Sequence, residues 1–410
     1  MRKLPEFVIF IVGALLRLTM AAGWRYRAEW GYDAGAHWLY IQSIADGALP
    51  DPAVNHVAYH PPLYHAIAAA LVKFGATWQG LIWLSAVCGV GRLGIIWAGL
   101  ECCIPLRRAR LAALALAAVL PSSIMIDGMT ANESLNGLLC AAAMLLWLKG
   151  RSSIAVGMLS GLALLTKASA VAMLMAFGIR RRLMVLAVCL MVIPSLYWLR
   201  GHSPFATSYE IAPERMGHVE INIPYLSRRA IGFLGWDWGI YASPYYPTAI
   251  GRFAPVVLAS TFVDYYNHSF AGNDGALTIN GRPMAKSALW MGRLAMVGGT
   301  LIFIATLAAW VMSVRRVVID RKWEWAALLV VPLLATLLAF AFAVKYPYDS
   351  HGVIKGAYIQ FGALPLYAMF GLAVEWALAD RRRWAAGMVL LLSLATVAIY
   401  SICCRTGLFI

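Results

Sequence analysis

Apolar residues run through this chain in long blocks, separated by short clusters of arginine and lysine and by a few longer polar stretches. Several blocks hold about 18 or more residues with almost no charge, the length needed to cross a hydrocarbon core of roughly 30 Å. The first, residues 4–23, carries Arg17 and lacks a small-residue cleavage signature, so it reads as a retained helix and not a signal peptide. Blocks at 80–104, 111–126, 134–148, 183–199, 288–314, 325–344, 356–378 and 384–403 read as further membrane helices. Between Arg151 and Arg180–Arg182 about 28 residues must make an even number of crossings, too few for two spans of about 20. The pattern therefore predicts two short helices, 154–165 and 168–179, meeting at Thr166-Lys167. Half-length helices survive in a membrane only where protein or a wet cavity surrounds them, so Lys167 is expected to face such a cavity. The expected fold is all-α and polytopic, with about eleven membrane helices, the N-terminus inside and the C-terminus outside. Residues 1–200 form a core with an external loop at 24–61, residues 201–286 a long external or interfacial segment, and residues 287–410 the C-terminal helices.

Composition sharpens this picture. Of 410 residues, 61% are hydrophobic and only 13% charged, too few charges to cover a soluble domain of this size. The net charge of +15 could suggest nucleic acid, but the basic residues sit in short runs between apolar blocks: Arg107, Arg108 and Arg110; Lys149 and Arg151; Arg180–Arg182; Arg315, Arg316, Arg321 and Lys322; Arg381–Arg383. Such runs mark cytoplasmic loops, so the excess charge is a topology signal and no nucleic-acid partner is expected. Asp33, Asp127, Glu133, Asp237, Asp264 and Asp349 fall on the other side. Carboxylates barely influence orientation, so this bias points to a function on the outer face. The seven cysteines all lie in or beside apolar blocks with no CxxC pair, which argues against disulfide frameworks and zinc sites.

Candidate chemistry gathers in the first external loop. Asp33, His37 and Tyr40 are spaced i, i+4, i+7 and share one face of a helix. With Ala36, Leu39 and Ile44 they suggest an amphipathic helix at the membrane interface, which Asp33 could simply cap. Next comes Tyr59-His60-Pro61-Pro62-Leu63-Tyr64, an elbow whose prolines stop any preceding helix and could return His60 over Asp33. Arg17, within two turns of the outer end, is expected to snorkel, while Arg92, nearer mid-helix, is a candidate for an anion site. Glu101 is expected to pair with Arg107 and Arg108, and Glu133 either caps its helix or lines the cavity. Among the aromatics of 200–286, Trp236, Trp238, Tyr241 and Tyr245 suit a membrane interface or a sugar-stacking platform.

The pattern D-x-x-x-H-x-x-Y-I from Asp33, then Gly47-Ala-Leu-Pro50 and Tyr59–Tyr64, resembles the first external loop of the GT-C glycosyltransferases. It is most similar to the protein O-mannosyltransferase and aminoarabinose-transferase branch, which uses polyprenyl-phosphate sugars. Asn132-Glu133, the run from Gly161 to Lys167, and Lys355-Gly-Ala-Tyr358 follow in matching order. The resemblance implies an inverting glycosyltransferase with Asp33 as catalytic base. Lys167 and Lys355 match positions associated with the donor phosphate, and His60 and Arg92 join them as candidates; His37, Tyr40, Tyr59, Tyr64, Glu133 and Tyr358 would line the substrate cavity. Implied partners are a polyprenyl-phosphate-sugar donor, membrane lipids, and a glycan, lipid or protein acceptor. Ala34 stands where many relatives carry a second acid, so no metal ligands are assigned and a divalent ion stays an open expectation. The expected location is a bacterial inner membrane, with the site facing the periplasm or exterior.

The chemistry is consistent without the family. A polyprenyl phosphate is a good leaving group that needs cations and no general acid, and the acceptor hydroxyl needs a base only late. A nucleotide-sugar enzyme is disfavoured, since no cytoplasmic loop could form a nucleotide-binding domain. A lipid or sugar transporter would show internal repeats, which are not found. A non-catalytic assembly subunit of the same fold is the third alternative.

Overall fold

The computed structural model describes residues 3–22, 33–51, 54–177, 192, 231–245, 252–263, 278–279, 282–283, 286–322, 325–345 and 354–406. Their regular secondary structure is helical apart from one two-residue antiparallel pairing, Thr278–Ile279 with Arg282–Pro283. In chain order the helices are α1 (Leu4–Ala21), α2 (Ala34–Ala45), α3 (Leu63–Lys73), α4 (Trp78–Cys103), α5 (Arg107–Val119), α6 (Pro121–Asp127), α7 (Glu133–Leu148), α8 (Ser153–Thr166), α9 (Val171–Phe177), α10 (Phe253–Phe262), α11 (Lys286–Val318), α12 (Ala326–Lys345), α13 (Ala363–Leu378) and α14 (Trp384–Thr406).

Among the described residues six helices are long and apolar enough to cross a membrane, and seven if α5 and α6, bent by 48°, count as one. The chain is an integral membrane protein. The expected eleven spans are not reached in this set: α7, α8 and α9 are shorter apolar helices, and the predicted span at 183–199 lies outside the described residues. The bend between α5 and α6 follows from Pro121. Proline disfavours helical geometry in the residue before it, and Leu120 is extended (φ −60°, ψ 118°). The helix is also interrupted at Lys167, whose backbone is extended (φ −156°, ψ 131°) between α8 and a short turn at Ala168–Ala170.

Two ends of the bundle can be distinguished. At one, Lys3 Nζ meets Glu101 at 2.8 Å, Arg107 makes bonds of 2.7 and 2.8 Å to Glu6, and Leu106 N donates to Glu375 at the far end of α13. Glu101 thus pairs with Lys3 and not with Arg107 or Arg108, because α1 brings Lys3 to it while Glu6 claims Arg107. At the other end lie Asp33, the start of α7, the Lys167 break and the turn Gly356–Gly362 that leads into α13.

Beneath that second end is a buried ion cluster. Asp127, fully buried at the end of α6, accepts from Arg17 Nε at 2.8 Å and from Arg92 Nη2 at 2.9 and 3.1 Å. Arg17 also donates to the carbonyls of Gly13, Ala117 and Ala118, and Ser134 Oγ donates to Asp127 at 2.8 Å. Three expectations are corrected here. Arg17 does not snorkel: its side chain is 2% exposed because Asp127 holds it inside. Asp127 is not on an external turn. Arg92 is bound to Asp127, away from the lysines. Glycine makes the approach of α4 to α6 and α7 feasible: a Cβ at Gly89 would collide with the Asp127 carboxylate, and one at Gly137 would stand 2.7 Å from Arg92 Nη1.

An ion stripped of its buried partner is costly, so Asp127→Asn is expected to destabilise the protein by about 3–5 kcal/mol. Arg92→Met, which leaves a one-to-one pair, should cost less. Denaturant unfolding in detergent ranks the two, and the reverse order would contradict the charge arithmetic.

Candidate functional site

The groups the sequence singles out arrive from four directions. Asp33 precedes α2 at φ 58°, a left-handed conformation that aspartate tolerates better than most residues. It makes no capping bond to α2. Its carboxylate, 43% exposed, instead meets His56 Nε2 at 3.1 Å and Lys355 Nζ at 4.0 Å. The buried face of α2 carries His37, Tyr40 and Ile41, whereas Leu39 points outward. Asn55 Nδ2 bonds the Ala36 carbonyl at 2.8 Å and Tyr40 OH bonds the His60 carbonyl at 3.0 Å, so the loop carrying His56 and His60 is tied back to α2.

Lys355 is placed by α10. The residue after it, Gly356, donates its N–H to Ser260 Oγ at 2.7 Å, and a Cβ there would strike Thr261. Lys167 owes its position to the helix break: Asn132 Nδ2 takes the Thr166 carbonyl at 3.0 Å, and Lys167 Nζ bonds Glu133 Oε1 at 2.6 Å. The Tyr358 ring lies under both ammoniums, 5.3 Å from Lys167 and 5.6 Å from Lys355, where its π-face attracts each. Asp33, Lys355, Tyr358, Lys167 and Glu133 therefore form one continuous chain of contacts with two positive and two negative charges.

Imidazoles cover one side. His37 Nδ1 and His65 Nε2 are 2.9 Å apart, His37 stacks on His60 with centroids 5.8 Å apart, and Tyr59 lies 4.1 Å from the His60 ring. Burial pushes His37 down to about 4, against the pull of Glu133 and Asp33. Burial, helped by Lys167, also holds His60 well below the ordinary range. Burial of the Asp33 carboxyl would raise its pKa, but Lys355 and the His56 hydrogen bond hold it well below the usual carboxylate range. Asp33 is thus ionised, and His37 and His60 are neutral, at neutral pH.

Two of the singled-out residues stand apart. Tyr64 packs in the apolar cluster of Ile41, Ala68, Ala69 and Leu81, joining α2, α3 and α4, and Arg92 belongs to the Asp127 cluster. Two residues that the sequence reading did not name, His56 and His65, contact Asp33 and His37. Nothing in the spacing of His56, in the loop, or of His65, in α3, marks them out, so only the folded chain reveals them.

No family model matches the sequence, and no curated protein matches it. Solved structures do resemble it. An oligosaccharyltransferase of Archaeoglobus fulgidus in the apo form superposes with a TM-score of 0.53 at 15% identity, over 98% of this chain and 56% of that one. An archaeal oligosaccharyltransferase from the same organism, in complex with an inhibitory peptide and a dolichol-phosphate, gives 0.50 at 14%, over 99% and 56%. The chain shares the overall fold of these oligosaccharyltransferases. It spans a little over half the length of the oligosaccharyltransferases it matches. ArnT of Cupriavidus metallidurans bound to undecaprenyl phosphate is a weaker likeness, with a TM-score of 0.39 at 16% identity over 97% and 77%.

Another A. fulgidus oligosaccharyltransferase structure contains zinc and sulfate. The described residues bring together no ligand set for a divalent ion. Each carboxylate already faces an ammonium, Ala34 offers no ligand beside Asp33, and among the described residues no three His, Cys, Asp or Glu side chains converge.

The buried neutral imidazoles give a pH test. Unfolded histidine takes up a proton below roughly 6.5, whereas folded His37 does so only near 4. Between these values the unfolded state binds more protons, so stability falls as pH falls. Thermal melting from pH 7 to 4.5 should show a drop that His37→Gln reduces.

Proposed function

We propose that this chain is an inverting membrane glycosyltransferase that moves a sugar from a polyprenyl-phosphate donor to an acceptor hydroxyl. The observation that carries the proposal is an ionised, partly exposed carboxylate, Asp33, standing 4.0 Å from the buried ammonium of Lys355 at the end of an apolar helix bundle. A base and a phosphate-binding cation thus share one site, and the donor's lipid tail can lie against the helices.

Asp33 accepts the proton of the acceptor hydroxyl as its oxygen attacks the sugar's anomeric carbon. The bond from that carbon to the phosphate oxygen breaks, and the phosphate leaves with the electron pair, stabilised by Lys355. One displacement inverts the anomeric configuration. A carboxylate of lowered pKa is adequate, because the proton moves late, when the attacked carbon is electron-deficient. His56 orients Asp33, while His37, His60, Tyr40 and Tyr59 wall the site. Lys167 is already neutralised by Glu133 at 2.6 Å, so the looser Lys355 takes the larger share of the phosphate charge. The proposal leaves Arg92 to the buried cluster and Tyr64 to packing.

The likeness to the oligosaccharyltransferase complexed with dolichol-phosphate supports a lipid-linked donor. The wider proposal includes the eleven-helix topology, the three-part division at 200 and 286, and a bacterial inner membrane with Asp33 facing the periplasm. The pocket's place opposite the end that holds Lys3, Arg107 and Glu375 supports that orientation.

Purified protein incubated with undecaprenyl-phosphate sugars is expected to turn over, and with nucleotide sugars not. Asp33→Asn should lower kcat by about 10²-fold or more. Lys355→Met should weaken donor binding. Wild-type turnover by the Asp33 variant, or activity with nucleotide sugars alone, overturns the proposal.

A further inference from the structure

Beside the Glu133–Lys167 pair lies a second set of buried polar groups that the charges of the pocket leave unused. Thr130 Oγ1, Asn132 Oδ1, Glu133 Oε2 and Ser169 Oγ are buried and find no hydrogen-bond partner among the described residues. Folded proteins bury such atoms rarely, at a cost of about 1–3 kcal/mol each, so four beside one pocket need an explanation. They sit on two short segments, the lead into α7 and the turn after α8. Those segments are joined by the Asn132–Thr166 bond at 3.0 Å and the Glu133–Lys167 pair at 2.6 Å.

The chemistry of the set is specific. A carbonyl such as Thr166's can only accept, so the Asn132 amide must face it with its nitrogen. Its oxygen is left spare on a side chain with 0% exposure. Glu133 likewise spends Oε1 on Lys167 and keeps Oε2. Two spare oxygens that can only accept and two hydroxyls that can do either require a ligand rich in O–H donors. A phosphate has none to give, and next to Glu133 it would be repelled. A hydrocarbon tail offers nothing. The hydroxyls of a sugar ring supply both roles at adjacent positions.

We infer that Thr130, Asn132, Glu133 and Ser169 form the subsite that grips the hydroxyls of the donor's sugar, next to the phosphate position at Lys355. This rests on the pocket being a polyprenyl-phosphate-sugar site. The division gives the two halves of the donor separate recognition: charge for the phosphate, hydrogen bonds for the sugar. A site whose buried polar groups are left unpaired by the wrong ligand discriminates strongly, so these residues set which sugar is accepted.

The test separates the two halves. The full-length protein in detergent is titrated with undecaprenyl phosphate and with the same lipid carrying each of a panel of hexoses. Wild-type protein is expected to bind at least one glycosylated lipid about tenfold more tightly than the bare phosphate. Thr130→Val and Ser169→Ala, which keep shape and remove only a hydroxyl, should each erode that preference about fivefold while bare-phosphate affinity stays unchanged. Equal binding of bare and glycosylated lipids, or variants that retain the whole preference, shows the four atoms to be merely hydrated and overturns the inference. Failure of the bare lipid phosphate to bind in a Lys355-dependent way overturns the reading of the pocket itself, and the subsite with it.

Discussion

A charge inside an apolar bundle must find its counter-charge there, because neither lipid nor packed side chains can solvate it. In this protein Asp127 meets that requirement for two arginines at once, and much of the upper bundle is arranged around the result. Arg17 fixes α1 and, through the carbonyls of Ala117 and Ala118, the end of α5. Arg92 brings in α4. Ser134 ties the first turn of α7 to the same carboxylate, and the adjacent Glu133 holds Lys167 across the helix break. The ion cluster and the pocket above it are therefore connected by consecutive residues of one helix.

The pocket obeys the same electrostatics with a different outcome. Among the described residues its two ammoniums face two carboxylates, but the pairs are unequal. Glu133 and Lys167 are in direct contact at 2.6 Å and nearly buried, while Asp33 and Lys355 stand 4.0 Å apart with Asp33 partly in solvent. A tight pair gives up its geometry reluctantly, and a loose one can admit an anion. The difference arises from backbone placement: Lys167 is delivered beside α7 by the end of α8, whereas Asp33 and Lys355 come from elements that meet only at the rim.

The sequence was informative where its signal was local. Hydropathy located the long helices, the arginine runs required a broken crossing that the structure places at Lys167, and the i, i+4 spacing put His37 on one face with Tyr40. It was silent where partners come from distant segments. Arg17 and Asp127 lie 110 residues apart, and nothing near either residue announces the other, so each was assigned an independent surface role. Glu101 was matched to its sequence neighbours when α1 supplies Lys3 instead. His56 reaches Asp33 only because Asn55 pins the loop to α2. Tyr64 looked like part of the elbow, yet its place one residue into α3 turns it into the packing between α2 and α4.

The interruption at Lys167 also bears on how the chain enters a membrane. Neither α8, with 14 residues, nor α9, with 7 in the described part, is long enough to partition into a bilayer alone. The exposed backbone at the break would be intolerable in lipid until Asn132 caps the Thr166 carbonyl. Since Asn132 precedes this region in the chain, the receiving surface is synthesised first. The interrupted segment can then settle against a helix that is already in place, which makes the order of emergence from the ribosome part of the folding logic.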